Sequence, residues 1–281
     1  MDLKVHIVSD STGDTAATIV NAVGVQFAGE NIYLRRHFNI RNRGQIDHVV
    51  QQIQRDPGLV VYTMANTELA HYFHEICEAK SLTAIDLLGP LFNAFTRHFG
   101  VDRSQKMGAF HAVNDSYFKR IDAIEFTLRH DDNLNVKNLS EADLILVGVS
   151  RTSKTPVSMY LAIQHGLKVA NVALALGLQP PLELLQAQAS KVVGLTIQPS
   201  RLVEIRRARL GRLEVQGAGN YADQHFVFKE LDMAHQLFKK NPRWPIIDVS
   251  DRSIEETATL ILDKVFGRVR LMQSPKEGGK A

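Results

Sequence analysis

The sequence alternates short apolar runs with longer stretches of helical periodicity, and this rhythm limits the folds open to it more than any other feature. Runs at 5–9, 33–38, 59–63 and 83–87 have the length and character of buried strands, and 16–28, 44–55 and 66–79 read as the helices between them. Strands joined through helices need crossover connections, which set neighbouring strands parallel and cover both sheet faces. The expected class is therefore α/β, beginning with a βαβ-type N-terminal domain.

The rhythm breaks over residues 100–140, where SYFKRIDAIEF reads as a helix and RHDDNLNVKNLSE as a polar connector. A boundary is expected near residue 135, giving domains 1–135 and 136–281. The second half restarts with a strand at 143–149, a helix stopped by Gly166, and a strand at 167–173. Helices at 181–188, 202–213, 224–240 and 253–266 and strands at 192–196 and 245–249 complete the pattern, and the tail SPKEGGKA reads as unstructured. The stretch VSDSTGDTAATIV at 8–20 echoes VSDRSIEETATLIL at 249–262. Shared capping chemistry is a simpler expectation for the echo than gene duplication, since Ser253 and Glu256 have capping-box spacing.

Composition excludes several functions. A net charge of +3 without a basic tail is too small for nucleic acid, though it suits an anionic ligand. Cys77 is the one cysteine, so no intrachain disulfide forms, and a reduced, cytoplasmic setting is expected. No run of 18 apolar residues suggests a membrane span, and a strand from the start is expected to leave no room for a leader. His71 and His74 share a helix face but lack further ligands nearby, so a metal site is not the expectation for them.

The chemistry concentrates in GVSRTSKTPVSMYLA, residues 148–162. It nearly spells G-x-x-x-x-G-K-[ST], with Gly148, Lys154 and Thr155 in place and Ser153 where glycine is usual. Average composition produces G-x5-K-[ST] in about one chain in seven of this length, so context must carry the reading. Here the context is right: an apolar strand ends at Gly148, Pro156 occupies the first helical turn, and a glycine stops the helix. Such a loop aims backbone N–H groups and a helix N-terminus at an anion, while lysine adds a full charge. Serine at the glycine position faces a cost of about 1–2 kcal/mol if its backbone is left-handed. The expected second domain is thus a P-loop-like α/β domain with a parallel sheet.

These residues, with the flanking LILVGVS and KVANVAL, resemble the bifunctional serine/threonine kinase and phosphorylase family that regulates pyruvate, phosphate dikinase and phosphoenolpyruvate synthase. VSDSTGDTA, YFKRIDAIEF, HDDN, GLTIQPSRLVEIRRARL and IIDVSDRSIEETATLIL resemble the family in the same order, so the likeness covers nearly the whole chain. Thr152–Ser153, in place of Cys-Gly, is similar to the dikinase-directed branch. One departure is Asn133, where the family has glycine; asparagine tolerates left-handed backbone.

The resemblance implies a regulator that uses ADP to phosphorylate and inactivate a threonine of the dikinase. It also implies removal of that phosphate by inorganic phosphate, with release of pyrophosphate. Gly148, Val149, Ser150, Arg151, Thr152, Ser153, Lys154 and Thr155 would hold ADP, and Thr155 would position Mg²⁺. Lys154 and Arg151 would neutralise developing charge. Asp131, Asp132 and Asp10 are the carboxylate candidates for handling the threonine proton, with Asp248 a further one. SDSTGDT at 9–15 could cradle free phosphate or simply cap a helix. Arg206 and Arg209 fall on one helix face, where a solvated role is the simpler expectation. The partner would be the dikinase or the synthase, and a homodimer is compatible. Two rivals remain: a small-molecule kinase using ATP, and a non-catalytic ADP-sensing binding protein.

Overall fold

In a computed structural model of the chain, residues 2–102, 115–213 and 221–267 are described. The first sheet is built from β1 (Asp2–Ser9), β2 (Asn31–His37), β3 (Leu59–Thr63) and β4 (Ala84–Asp86), all parallel in the order β2-β1-β3-β4. Its connections are α1 (Asp14–Gly24), α2 (Arg43–Arg55) and α3 (Thr67–Ala79), and α4 (Gly89–Phe99) follows β4. Asn42 and Asn66 start α2 and α3 by accepting the N–H groups of Gln45 and Leu69. Their buried stripes, including Ile46, Ile53 and Phe73, pack with Val8, Val60 and Tyr62. Ala16 and Ala17 of α1 pack with Val5, Ile7 and Val61. Alternate residues of one strand thus bury on opposite faces, as a doubly covered parallel sheet requires.

The second sheet repeats this plan with β5 (Leu144–Val149), β6 (Val169–Leu174), β7 (Val192–Thr196) and β8 (Ile246–Asp248) in the order β6-β5-β7-β8. All six residues of β5 are buried, the signature of a central strand. Around it lie α5 (Asp115–Arg129), α6 (Lys154–His165), α7 (Leu182–Gln186), α8 (Pro199–Leu213), α9 (Gln224–Lys240) and α10 (Ile254–Phe266). Gly166 closes α6 at φ 64°, and Ser253 and Glu256 form the capping box of α10.

The α/β class with parallel sheets is as the rhythm indicated. The chain divides into compact units at Met1–Ala112 and Val113–Ala281, so the expected boundary near residue 135 lies inside the second unit. The reason is α5, which packs against α6 and β6. α4 is not among the elements expected above, although Pro90 stands in its first turn and Gly100 closes it at φ 66°; it buries none of its residues. The echo between 8–20 and 249–262 joins inequivalent places, the exit of a first strand and the exit of a fourth. The tail 274–281 lies outside the described residues.

Candidate phosphate-binding site

In the second unit, the connection leaving β5 runs to β6 on one side, and the chain then crosses to β7 on the other. Open parallel sheets bind ligands outside the carboxyl ends of strands at such a reversal. The loop 150–153 stands there, between β5 and α6.

Gly148 is required by the strand packing. A Cβ at this position would lie 2.6 Å from the Leu195 carbonyl oxygen on β7 and 2.9 Å from Thr152 Oγ1. Beyond it, Arg151 and Ser153 both take left-handed backbone, at φ 70° and 58°. Ser153 is the N-cap residue of α6 yet makes no capping bond with its side chain. The first-turn amides of Lys154 and Thr155 therefore have no side-chain cap, and Pro156 contributes no N–H. The loop tolerates the strain at Ser153 and keeps the conformation glycine would give. α1 also begins after a left-handed residue, Gly13 at φ 78°, although there the Asp14 N–H donates to Thr12 Oγ1 at 3.5 Å.

Two side chains fold back beneath the loop. Thr152 Oγ1 and Lys154 Nζ both donate to the Val149 carbonyl oxygen, each at 2.9 Å. Lys154 is only 4% exposed, and burial lowers its pKa to about 8 against the opposing pull of Asp132 and Asp131.

The HDDN segment delivers the acidic side of the site. Thr155 donates its hydroxyl proton to Asp131 Oδ1 at 2.9 Å, and Asn171 Nδ2 donates to Asp131 Oδ1 and, at 3.1 Å, to Thr155 Oγ1. Asp132, at φ 44°, lines a cleft of about 230 Å³ with Ser150, Arg151, Ser153, Lys154, Thr155, Pro156 and Ile205. Asn133 stands at φ 66° and clamps the Ala173 backbone, donating to its carbonyl and accepting from its N–H, both at 2.9 Å. The departure from glycine is thus accommodated, and the amide adds bonds that glycine lacks. A Thr hydroxyl beside one carboxylate fits Mg²⁺, which takes few protein ligands and keeps water and phosphate oxygens. Among the described residues, no group of three or more His, Cys, Asp or Glu gathers as a metal cluster.

The structure brings Gly148, Val149, Ser150, Arg151, Thr152, Ser153, Lys154 and Thr155 together with Asp131 and Asp132. Asp10 belongs to the first unit, where its buried Oδ2 accepts the N–H groups of Ala65 and Asn66 and fixes the turn into α3. Asp248 ends β8 and accepts from the N–H and hydroxyl of Ser250. His71 and His74 pair with Glu75 and Glu78 on the surface of α3.

Sequence reasoning missed Asn171, which hides in the apolar run of β6, and misjudged Arg206. The expected solvated arginine is fully buried on α8, bonded to Glu230 Oε2 at 2.5 Å and to the carbonyls of Tyr221 at 2.9 Å and Ser150 at 3.2 Å. Arg209, three residues on, is exposed. Among the described residues, no helix is long and apolar enough to cross a membrane.

The family model described as kinase/pyrophosphorylase matches residues 5–262. A protein of Geobacter sulfurreducens, provisionally named a pyruvate, phosphate dikinase regulatory protein, is 43% identical over 94% of this chain and 97% of its own. Proteins of Geotalea daltonii and Bdellovibrio bacteriovorus with the same provisional name are 41% and 39% identical, covering 92% and 96% of this chain and 96% of each relative.

Proposed function

Since the chain belongs to the kinase/pyrophosphorylase family, we propose that it regulates pyruvate, phosphate dikinase by phosphorylating a threonine with ADP and reversing this with inorganic phosphate. The observation that carries this reading is the loop itself. Uncapped amides of α6, a buried Lys154, and the Thr155–Asp131 pair converge at the carboxyl end of β5.

In the inactivating direction, the threonine Oγ attacks the β-phosphorus of ADP, the bond to the α-phosphate oxygen breaks, and AMP leaves. Asp132 takes the threonine proton; it lines the cleft, whereas Asp131 is already held by Thr155 and Asn171. Lys154 and Arg151 balance charge on the phosphoryl group in flight. Thr155 and Asp131 would hold Mg²⁺, whose contribution when bound is to neutralise phosphate charge.

In the activating direction, an oxygen of inorganic phosphate attacks the phosphorus of phosphothreonine. Pyrophosphate forms, and Asp132 returns a proton to the threonine. Both reactions place a second phosphate next to the one transferred, as the α-phosphate of ADP or as half of pyrophosphate. One loop therefore serves both directions.

The test is phosphothreonine on purified dikinase, read by mass spectrometry after incubation with Mg²⁺ and either ADP or ATP. The proposal expects modification with ADP alone. Modification with ATP only, ADP-dependent association without modification, or modification of phosphoenolpyruvate synthase instead would each overturn it.

A further inference from the structure

A half-buried tyrosine lies against the phosphate loop without any part in the chemistry above. Arg151 Nε donates to the Tyr221 hydroxyl at 3.0 Å, and the Ser150 hydroxyl lies 3.3 Å from the same oxygen. The ring sits under the Arg206 guanidinium, 4.6 Å from its centroid, and the Tyr221 carbonyl accepts from Arg206 as well. Arg206 is tied in turn to Glu230 and to the Ser150 carbonyl. A single buried cation thus fixes the loop's first residue and the tyrosine that touches its second.

We infer that Tyr221 is a positioning residue that aims Arg151 at the anion in the loop. The inference rests on the nucleotide reading of that loop. Guanidinium offers its two terminal amino groups as a planar fork that matches a phosphate face. Among the described residues, Arg151 is engaged through Nε, which leaves the fork for the ligand. The exposed arginine carries a flexible stem on left-handed backbone, and without an anchor it would pay the full rotamer entropy on binding. Tyr221, seated by stacking and by its own backbone, removes much of that cost before the ligand arrives.

Arg206 is a poor probe, because cutting one partner from a buried ion pair threatens the fold. Tyr221→Phe keeps the ring and deletes only the hydroxyl. ADP affinity by calorimetry, with melting temperature as control, is measured for wild type, Tyr221→Phe, Arg151→Gln and the double variant. The expected result is about tenfold weaker ADP binding by Tyr221→Phe at an unchanged melting temperature, and no further loss when it is added to Arg151→Gln. Unaltered affinity in Tyr221→Phe, or an equal loss in the Arg151→Gln background, overturns the inference while leaving the nucleotide reading in place. A wild-type protein that binds no ADP overturns that reading, and the inference with it.

Discussion

Lys154 Nζ reaches back under its own loop to the carbonyl oxygen of Val149, 2.9 Å away. The bond holds the ammonium within the loop and out of water, so the same geometry that places the charge also weakens it. Burial brings its pKa down to about 8. The ammonium form predominates below that pH, and the neutral amine predominates above it. ADP affinity should therefore fall as pH rises through about 8, by up to about tenfold per unit, with proton uptake on binding in the alkaline range. Calorimetry in buffers of different ionisation enthalpy measures both. Lys154→Met should bind weakly at every pH and lose the dependence.

The same shift affects stability, with the opposite sign. Between about 8 and the ordinary lysine value of 10.5, the unfolded chain binds a proton that the folded protein does not. Lys154 thus makes folding more favourable as pH rises across that window. Urea titrations at pH 8 and 10 should show this gain in the wild-type protein, and Lys154→Met should lack it.

Ser153 and Gly148 make opposite demands. At φ 58°, Ser153 carries a strain that glycine would not, so Ser153→Gly should change stability by no more than about 1 kcal/mol and preserve ADP binding. Gly148→Ala would push a methyl against the Leu195 carbonyl, destabilising the fold by about 1–3 kcal/mol. Urea midpoints distinguish the two.

The sequence showed the loop because strand, cation, hydroxyl and helix are contiguous there and obey local rules. It also showed most elements of both sheets, whose apolar runs match buried strands. Arg206 was illegible because a helix of arginines looks solvated until Glu230, on the next helix, is known to face it. Asn171 was illegible because period-two reasoning sorts residues by face and cannot tell that one buried polar side chain meets Asp131. The shared topology of the two sheets is equally illegible in the sequence, since it lies in strand order and leaves little trace in residue identity.

Asp131 and Asp132 should separate by role. Asp132→Asn should bind ADP normally and lose about 10²–10⁴-fold in phosphoryl transfer, the usual contribution of a positioned base. Asp131→Asn, which disturbs the contact with Thr155, should instead raise the Mg²⁺ concentration needed for half-maximal rate. Initial rates over a Mg²⁺ titration test both.

The central claim concerns where a diphosphate rests, and a crystal structure of the protein with ADP and Mg²⁺ measures that directly. The account predicts the β-phosphate within hydrogen-bond distance of the Lys154 and Thr155 amides, with the Arg151 fork on its oxygens. A nucleotide bound elsewhere, with this loop holding only water, would contradict it.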